Sequence, residues 1–104
     1  MRYFLYILSF FISIIHSVEF NVYPYLQDAT PHSIHILWET DSESQSTVEW
    51  GEYVFLTETT IGLSFNNYGN SRIHTVELPN LVPDTRYYYR VVLGNYESYS
   101  DFFH

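Results

Sequence analysis

Leu81-Val82-Pro83-Asp84-Thr85-Arg86-Tyr87-Tyr88-Tyr89-Arg90-Val91-Val92 reads as a tight corner feeding a strong strand. Pro83 fixes its own φ and steers Val82 away from the helical region, while Asp84 and Thr85 carry turn chemistry. The aromatic and β-branched run behind them suits a pleated, half-buried surface. At period two, Tyr87, Tyr89 and Val91 share one face and Tyr88, Arg90 and Val92 share the other. Only the second face carries a charge, so the first is the expected core side.

The same pattern extends outward in both directions. Residues 33–39 alternate most clearly, with Ile34, Ile36 and Trp38 set against Ser33, His35, Leu37 and Glu39, which makes Trp38 an expected core anchor. Residues 47–50 put Val48 and Trp50 on one face, Trp50 being the second expected anchor, with Glu49 opposite. Residues 72–78 resume the alternation, with Val76 and Leu78 inward. Residues 20–26 form a first strand, at a sheet edge because Pro24 cannot donate to a ladder, and residues 27–31 turn out of it. Residues 52–70 are the least determined: strand-like residues over 54–60, then Gly62, Asn66-Asn67 and Gly69-Asn70, suggest a wandering edge strand and loop. Gly94-Asn95 marks a hairpin before a last strand over 97–103. About seven short strands without helical periodicity predict an all-β, two-sheet antiparallel sandwich. In the usual sheet order Glu49 and Arg90 lie on neighbouring strands, both outward, and an exposed pair there is worth at most about 1 kcal/mol.

The 104 residues bound the chain to one small domain, and nineteen Phe and Tyr let a compact core be built from few large side chains. Met1-Arg2, an apolar run over 3–15 and the small Ser17 predict a signal peptide over residues 1–17, which leaves a domain of residues 18–104. That run is shorter than the twenty or so residues that span a bilayer. The expected location is therefore secreted, extracellular or periplasmic, with no membrane association after cleavage at Ser17. Cysteine is absent, which excludes disulfide staples, thiolate metal sites and cysteine nucleophiles. Past Ser17 three Arg stand against twelve Asp and Glu, a formal charge of −9. Such a surface repels nucleic acid and anionic lipid; it either keeps the domain soluble or recruits cations or a basic partner.

A Tyr just after a Leu-x-Pro-x-Thr corner ties that corner down in sandwich domains, its hydroxyl reaching back to upstream backbone while its ring packs inside. Leu81, Pro83, Thr85 and Tyr87 resemble the corner of fibronectin type III domains in this way. Together with Pro24-Tyr25-Leu26-Gln27, Val48-Glu49-Trp50-Gly51 and the run from Tyr87 to Val91, in that order, they resemble the fibronectin-like N-terminal domain of purple acid phosphatases and related metallophosphoesterases. The similarity covers residues 21–103. It implies an immunoglobulin or fibronectin type III-like sandwich, packed in the parent enzyme beside a catalytic domain that acts on phosphomonoesters through iron paired with zinc, manganese or a second iron. It also implies a partner for the domain, either that catalytic domain or a dimer mate. Tyr88, Val92, Tyr96 and Tyr99 are the candidates for such an interface, set against ordinary exposed tyrosine on a sheet.

The family's metal ligands sit in Gly-Asp-x-Gly, Gly-Asp-x-x-Tyr, Gly-Asn-His and Gly-His-x-His segments, none of which occurs in this chain. No cofactor is expected here, and the chain's own activity is left open: it carries no catalytic motif, while the parent family is acid phosphatase. Glu39, Asp41 and Glu43 lack the spacing and glycine of a calcium loop and read as a solvated turn. His32, His35, His74 and His104 read as scattered surface histidines rather than a zinc set. The expected function is a noncatalytic scaffolding domain of a secreted metallophosphoesterase; the alternative is a free-standing adhesion or ligand-binding module.

Overall fold

The computed structural model describes residues 18–94 and 98–104. The signal-peptide expectation, and those on Asn95 and Tyr96, fall outside these residues. Among the described residues eight strands form: β1 Phe20–Thr30, β2 Ser33–Thr40, β3 Thr47–Gly51, β4 Glu58–Ile61, β5 Leu63–Asn66, β6 Arg72–Leu78, β7 Tyr87–Val92 and β8 Ser98–Phe103. They make two four-stranded antiparallel sheets, ordered β1-β2-β6-β5 and β4-β3-β7-β8. The sheets enclose one core in which Ile34, Ile36 and Trp38 of β2 and Val76 and Leu78 of β6 meet Val48 of β3 and Tyr87, Tyr89 and Val91 of β7. Alternation decides this arrangement: every second residue of β2, β6 and β7 is buried, and the residues between are partly or fully exposed. The all-β sandwich expected from the sequence is the fold observed.

Three local differences have physical reasons. The segment around residues 54–66 is two strands rather than one, because the chain leaves the second sheet after β4 and enters the first as β5. Gly62 is the crossing point: a Cβ there would run into the Thr75 carbonyl oxygen and lie 2.9 Å from Val76 Cα, so only glycine lets the backbone pass so close to β6. Its N–H donates to Ser46 O at 2.9 Å, pinning the crossing to the start of β3. β1 continues four residues beyond Leu26. A register shift between Gln27 and Thr30 accommodates Asp28, whose φ of 54° is left-handed, and the strand then closes on β2 through Pro31-His32 alone. Thr30 and Ser33 hydroxyls bond at 2.7 Å across that turn. β1 is an edge strand, and a further register shift between Val22 and Tyr25 accommodates Pro24.

The third difference concerns Trp50. Its ring is only half-buried, packed against the margin of the core at 5.8 Å from the Tyr87 ring, with its indole N–H donating to Thr60 Oγ1 at 3.0 Å. Trp38 is the fully buried anchor, 1% exposed. Trp50 pairs in the ladder with exposed Glu58 of β4, and its indole reaches across to Thr60 of that mostly exposed strand rather than into the centre of the core.

Candidate functional site

At the corner, the Val82 N–H donates to Tyr87 Oη at 2.8 Å while the Tyr87 ring lies 5% exposed against Trp50 and Phe103. The turn closes on itself through Thr85 Oγ1, which donates to Pro83 O at 3.2 Å, and Asp84 takes a left-handed φ of 54°. Leu81 is buried, and its backbone is clasped by the β1–β2 hairpin: Leu81 N–H donates to His32 O at 2.8 Å, and His32 Nδ1 donates to Leu81 O at 3.1 Å. Leu81, Pro83, Thr85 and Tyr87 thus form one fastened end of the sandwich. An open hollow of about 360 Å³ between the corner, the hairpin and Phe103 lies over it.

His74 corrects the expectation of scattered surface histidines. It is fully buried, stacked on Trp38 with ring centroids 5.0 Å apart and planes at 7°. Its position follows from period two, which puts residue 74 on the face of Val76 and Leu78; the polarity of the side chain masks that signal. Both ring nitrogens are bonded, Nε2 to Thr40 Oγ1 and Nδ1 to Ser46 Oγ, each at 2.8 Å. Thr40 spends its one hydroxyl hydrogen on Ser42 O at 2.7 Å, so it accepts from His74 Nε2–H. Nδ1 is then the acceptor for the Ser46 hydroxyl. The result is a directed chain, Ser46 to His74 to Thr40 to the Ser42 carbonyl, that ties β6 and β2 to the loop entering β3. Burial, and secondarily the Arg72 charge, hold the imidazole below its ordinary pKa of 6.5.

The other histidines among the described residues do not converge. His35 Nε2 pairs with Glu77 Oε2 at 3.1 Å on an outer face, His32 belongs to the corner, and His104 is terminal. Among the described residues no three His, Cys, Asp or Glu side chains cluster as a metal site.

The candidate interface residues separate. Tyr88 and Val92 lie on the outer face of the second sheet, both half-buried, with Arg90 between them bonded to Glu49 Oε1 through Nε at 3.1 Å and Nη2 at 2.9 Å. Tyr88 also leans on Phe102 at 6.0 Å, and the Arg86 guanidinium caps the Phe102 ring at 4.7 Å. Tyr99 is on the opposite face, because its partner in the ladder is the inward Val91. Its ring meets Phe20 at 6.4 Å and Tyr23 at 5.9 Å, closing the gap between β8 and β1. Its hydroxyl donates to Asp101 Oδ2 at 3.2 Å. Tyr99 therefore belongs to the seam of the sandwich and not to an outer interface with Tyr88. Its hydroxyl pKa is raised by desolvation and by the Asp101 carboxylate, and that of Tyr89 rises further for the same reasons, desolvation first.

The outer face of the first sheet was not anticipated. One cross-strand row runs Tyr25, Leu37, Thr75, Leu63, and the next runs Val22, Glu39, Ile73, Phe65. Apolar side chains therefore cross all four strands. The signal was present in Leu63-x-Phe65 and in Leu37 and Ile73, on the non-core side of their strands.

No curated protein matches the chain. The family model of the purple acid phosphatase N-terminal domain matches residues 20–104, which take in every strand described above, and the chain belongs to that family.

Proposed function

We propose that this chain serves as the noncatalytic N-terminal domain of a secreted purple acid phosphatase-like metallophosphoesterase, packing beside a dinuclear-metal phosphomonoesterase domain and holding it in place. The observation that carries this reading is the family match over residues 20–104. The division of labour is supported by the sequence, which holds none of the metal-binding segments of the parent enzymes. Metal chemistry, with iron beside zinc, manganese or a second iron as the family resemblance implies, would then fall to the catalytic half, where it would activate water toward a phosphomonoester. What this chain supplies is a rigid body. The fastened corner at Tyr87, the buried chain through His74 and the crossing at Gly62 each lock one strand connection to a neighbouring strand.

Sequencing the transcript through and past the codon for His104 tests the proposal. The expected result is an open frame that runs into Gly-Asp-x-Gly and Gly-Asn-His segments. A stop codon there, with secretion of a stable domain beginning after Ser17, overturns it in favour of a free-standing module.

A further inference from the structure

A second hollow, of about 500 Å³, also borders Tyr87, and its walls have a distinct chemistry. Trp50, Tyr53 and Tyr87 lend it aromatic rings, Glu52 and Glu58 lend it carboxylates, and no Lys, Arg or His lines it. Register explains part of this grouping. Trp50 pairs with Glu58 across the β3–β4 ladder, so both side chains leave the sheet on its core-side face, as does Thr60 two residues on. At this margin of the core the face is open: Glu58 is exposed and Trp50 only half-buried. Glu52 and Tyr53 come from the turn out of β3, which Leu56 N–H closes by donating to Tyr53 O at 3.2 Å while Leu56 takes a left-handed φ of 40°. The turn keeps the Tyr53 ring 59% exposed, stacked on the equally exposed ring of Phe55 at 5.3 Å. Burial in the core does not account for that ring.

The hydrogen-bonding groups of the walls are unequally spent. The Trp50 indole N–H goes to Thr60 Oγ1, and the Val82 N–H goes to Tyr87 Oη. Glu52 and Glu58 have no partner among the described residues, whereas Glu39, Glu49 and Glu77 each have one. Ring faces and free carboxylate oxygens therefore dominate what the hollow offers, and both attract a positive charge that brings its own N–H donors.

We propose that this hollow binds an organic cation, a guanidinium or primary ammonium on a short apolar stem, whose N–H groups Glu52 and Glu58 accept beside the rings of Trp50 and Tyr53. Pro79 and Val82 give the stem apolar contact. The volume falls within the about 300–1,000 Å³ of small-molecule sites. A hard divalent cation is not served, because it takes about six to eight oxygens and no three His, Cys, Asp or Glu side chains cluster among the described residues. A neutral sugar would stack on the same rings but brings no charge to answer two unpaired carboxylates. The domain's excess of acidic residues adds a long-range pull on any cation.

The two tryptophans make the test selective, since the indole of Trp50 lines the hollow and that of Trp38, 1% exposed, reports on the core. In proton–nitrogen correlation spectra of the 104-residue chain, butylguanidinium or butylammonium chloride is expected to move the Trp50 indole peak along a saturating curve. The Trp38 peak should stay in place, and 1-pentanol should move neither. Glu52→Gln and Glu58→Gln are each expected to weaken binding about three- to tenfold. Glu43→Gln, which removes the same charge from the turn before β3, should leave it unchanged. A blocked Gly-Gly-Arg-Gly-Gly peptide separates the sources: binding as tight as that of butylguanidinium supports the site as a receptor for an arginine side chain, and weaker binding supports it as a site for a free amine. A Trp50 peak that stays still through about 50 mM of both cations overturns the proposal. An equal loss on Glu43→Gln overturns it in favour of diffuse attraction to net charge. A peak that moves with methyl glucoside and not with the cations overturns it in favour of a sugar.

Discussion

Tyr87→Phe keeps the ring in its place between Trp50 and Phe103 and removes only the oxygen that accepts from Val82 N–H. Val82 is exposed enough for water to replace part of that bond, so the expected cost is about 1–2 kcal/mol, read as a lower urea midpoint with an unchanged slope. His74 gives a pH-dependent counterpart. Its folded pKa lies below 6.5, so as pH falls past that value the unfolded chain binds a proton that the folded chain refuses. The contribution is complete above 6.5 and is lost as pH drops from there toward the depressed folded value. Urea midpoints between about pH 7.5 and 5.5 should fall for the native chain and fall less for His74→Gln, which leaves nothing to titrate at that position. Nitrogen-15 shifts of the ring should show the Nε2–H tautomer throughout. A midpoint for His74→Gln that falls as steeply as for the native chain would place the pH response elsewhere. Tyr87 was legible because a corner motif names it. His74 was not, because polarity argued for the surface, and only its two hydroxyl partners, 28 and 34 residues away, make the interior tolerable.

Strand connections follow the same logic one level up. Gly62→Val inserts a branched side chain where even a Cβ meets the backbone of β6, and the crossing cannot relax without moving β4 or β5. Overpacking of this kind costs about 1–3 kcal/mol. Gly94→Ala meets no atom within 4 Å and is expected to be neutral by comparison. Thermal unfolding of the two variants side by side checks the contrast. The strands β2, β6 and β7 could be drawn from the sequence nearly to the residue because one face of each is buried, and burial writes period two into the chain. β4 and β5 could not, since each is four residues long, mostly exposed and at the edge of a different sheet. Edge position removes the alternation that makes a strand readable. The apolar residues on the outer face of the first sheet escaped for a related reason: they are far apart in sequence and become neighbours only once the register of four strands is known.

Over the whole domain the dominant field is negative, and three Arg cannot offset it. Glu49 is paired with Arg90, and Arg72 is spent on Asn66 and Ser64. Repulsion among the other carboxylates should relax as salt shortens the screening length from about 30 Å at 0.01 M to about 8 Å at 0.15 M. Melting temperature should therefore rise with sodium chloride over that range. The Glu49–Arg90 pair alone would give the opposite, smaller trend, and Glu49→Gln should leave the rise intact. One acidic residue has a different consequence. Asp101 stands on the core-side face of β8, an edge strand of its sheet, exposed yet paired in the ladder with buried Tyr89. A strand from another molecule that tried to extend this sheet would have to strip water from that carboxylate. That margin is thereby guarded against edge-to-edge growth by a carboxylate turned toward the core.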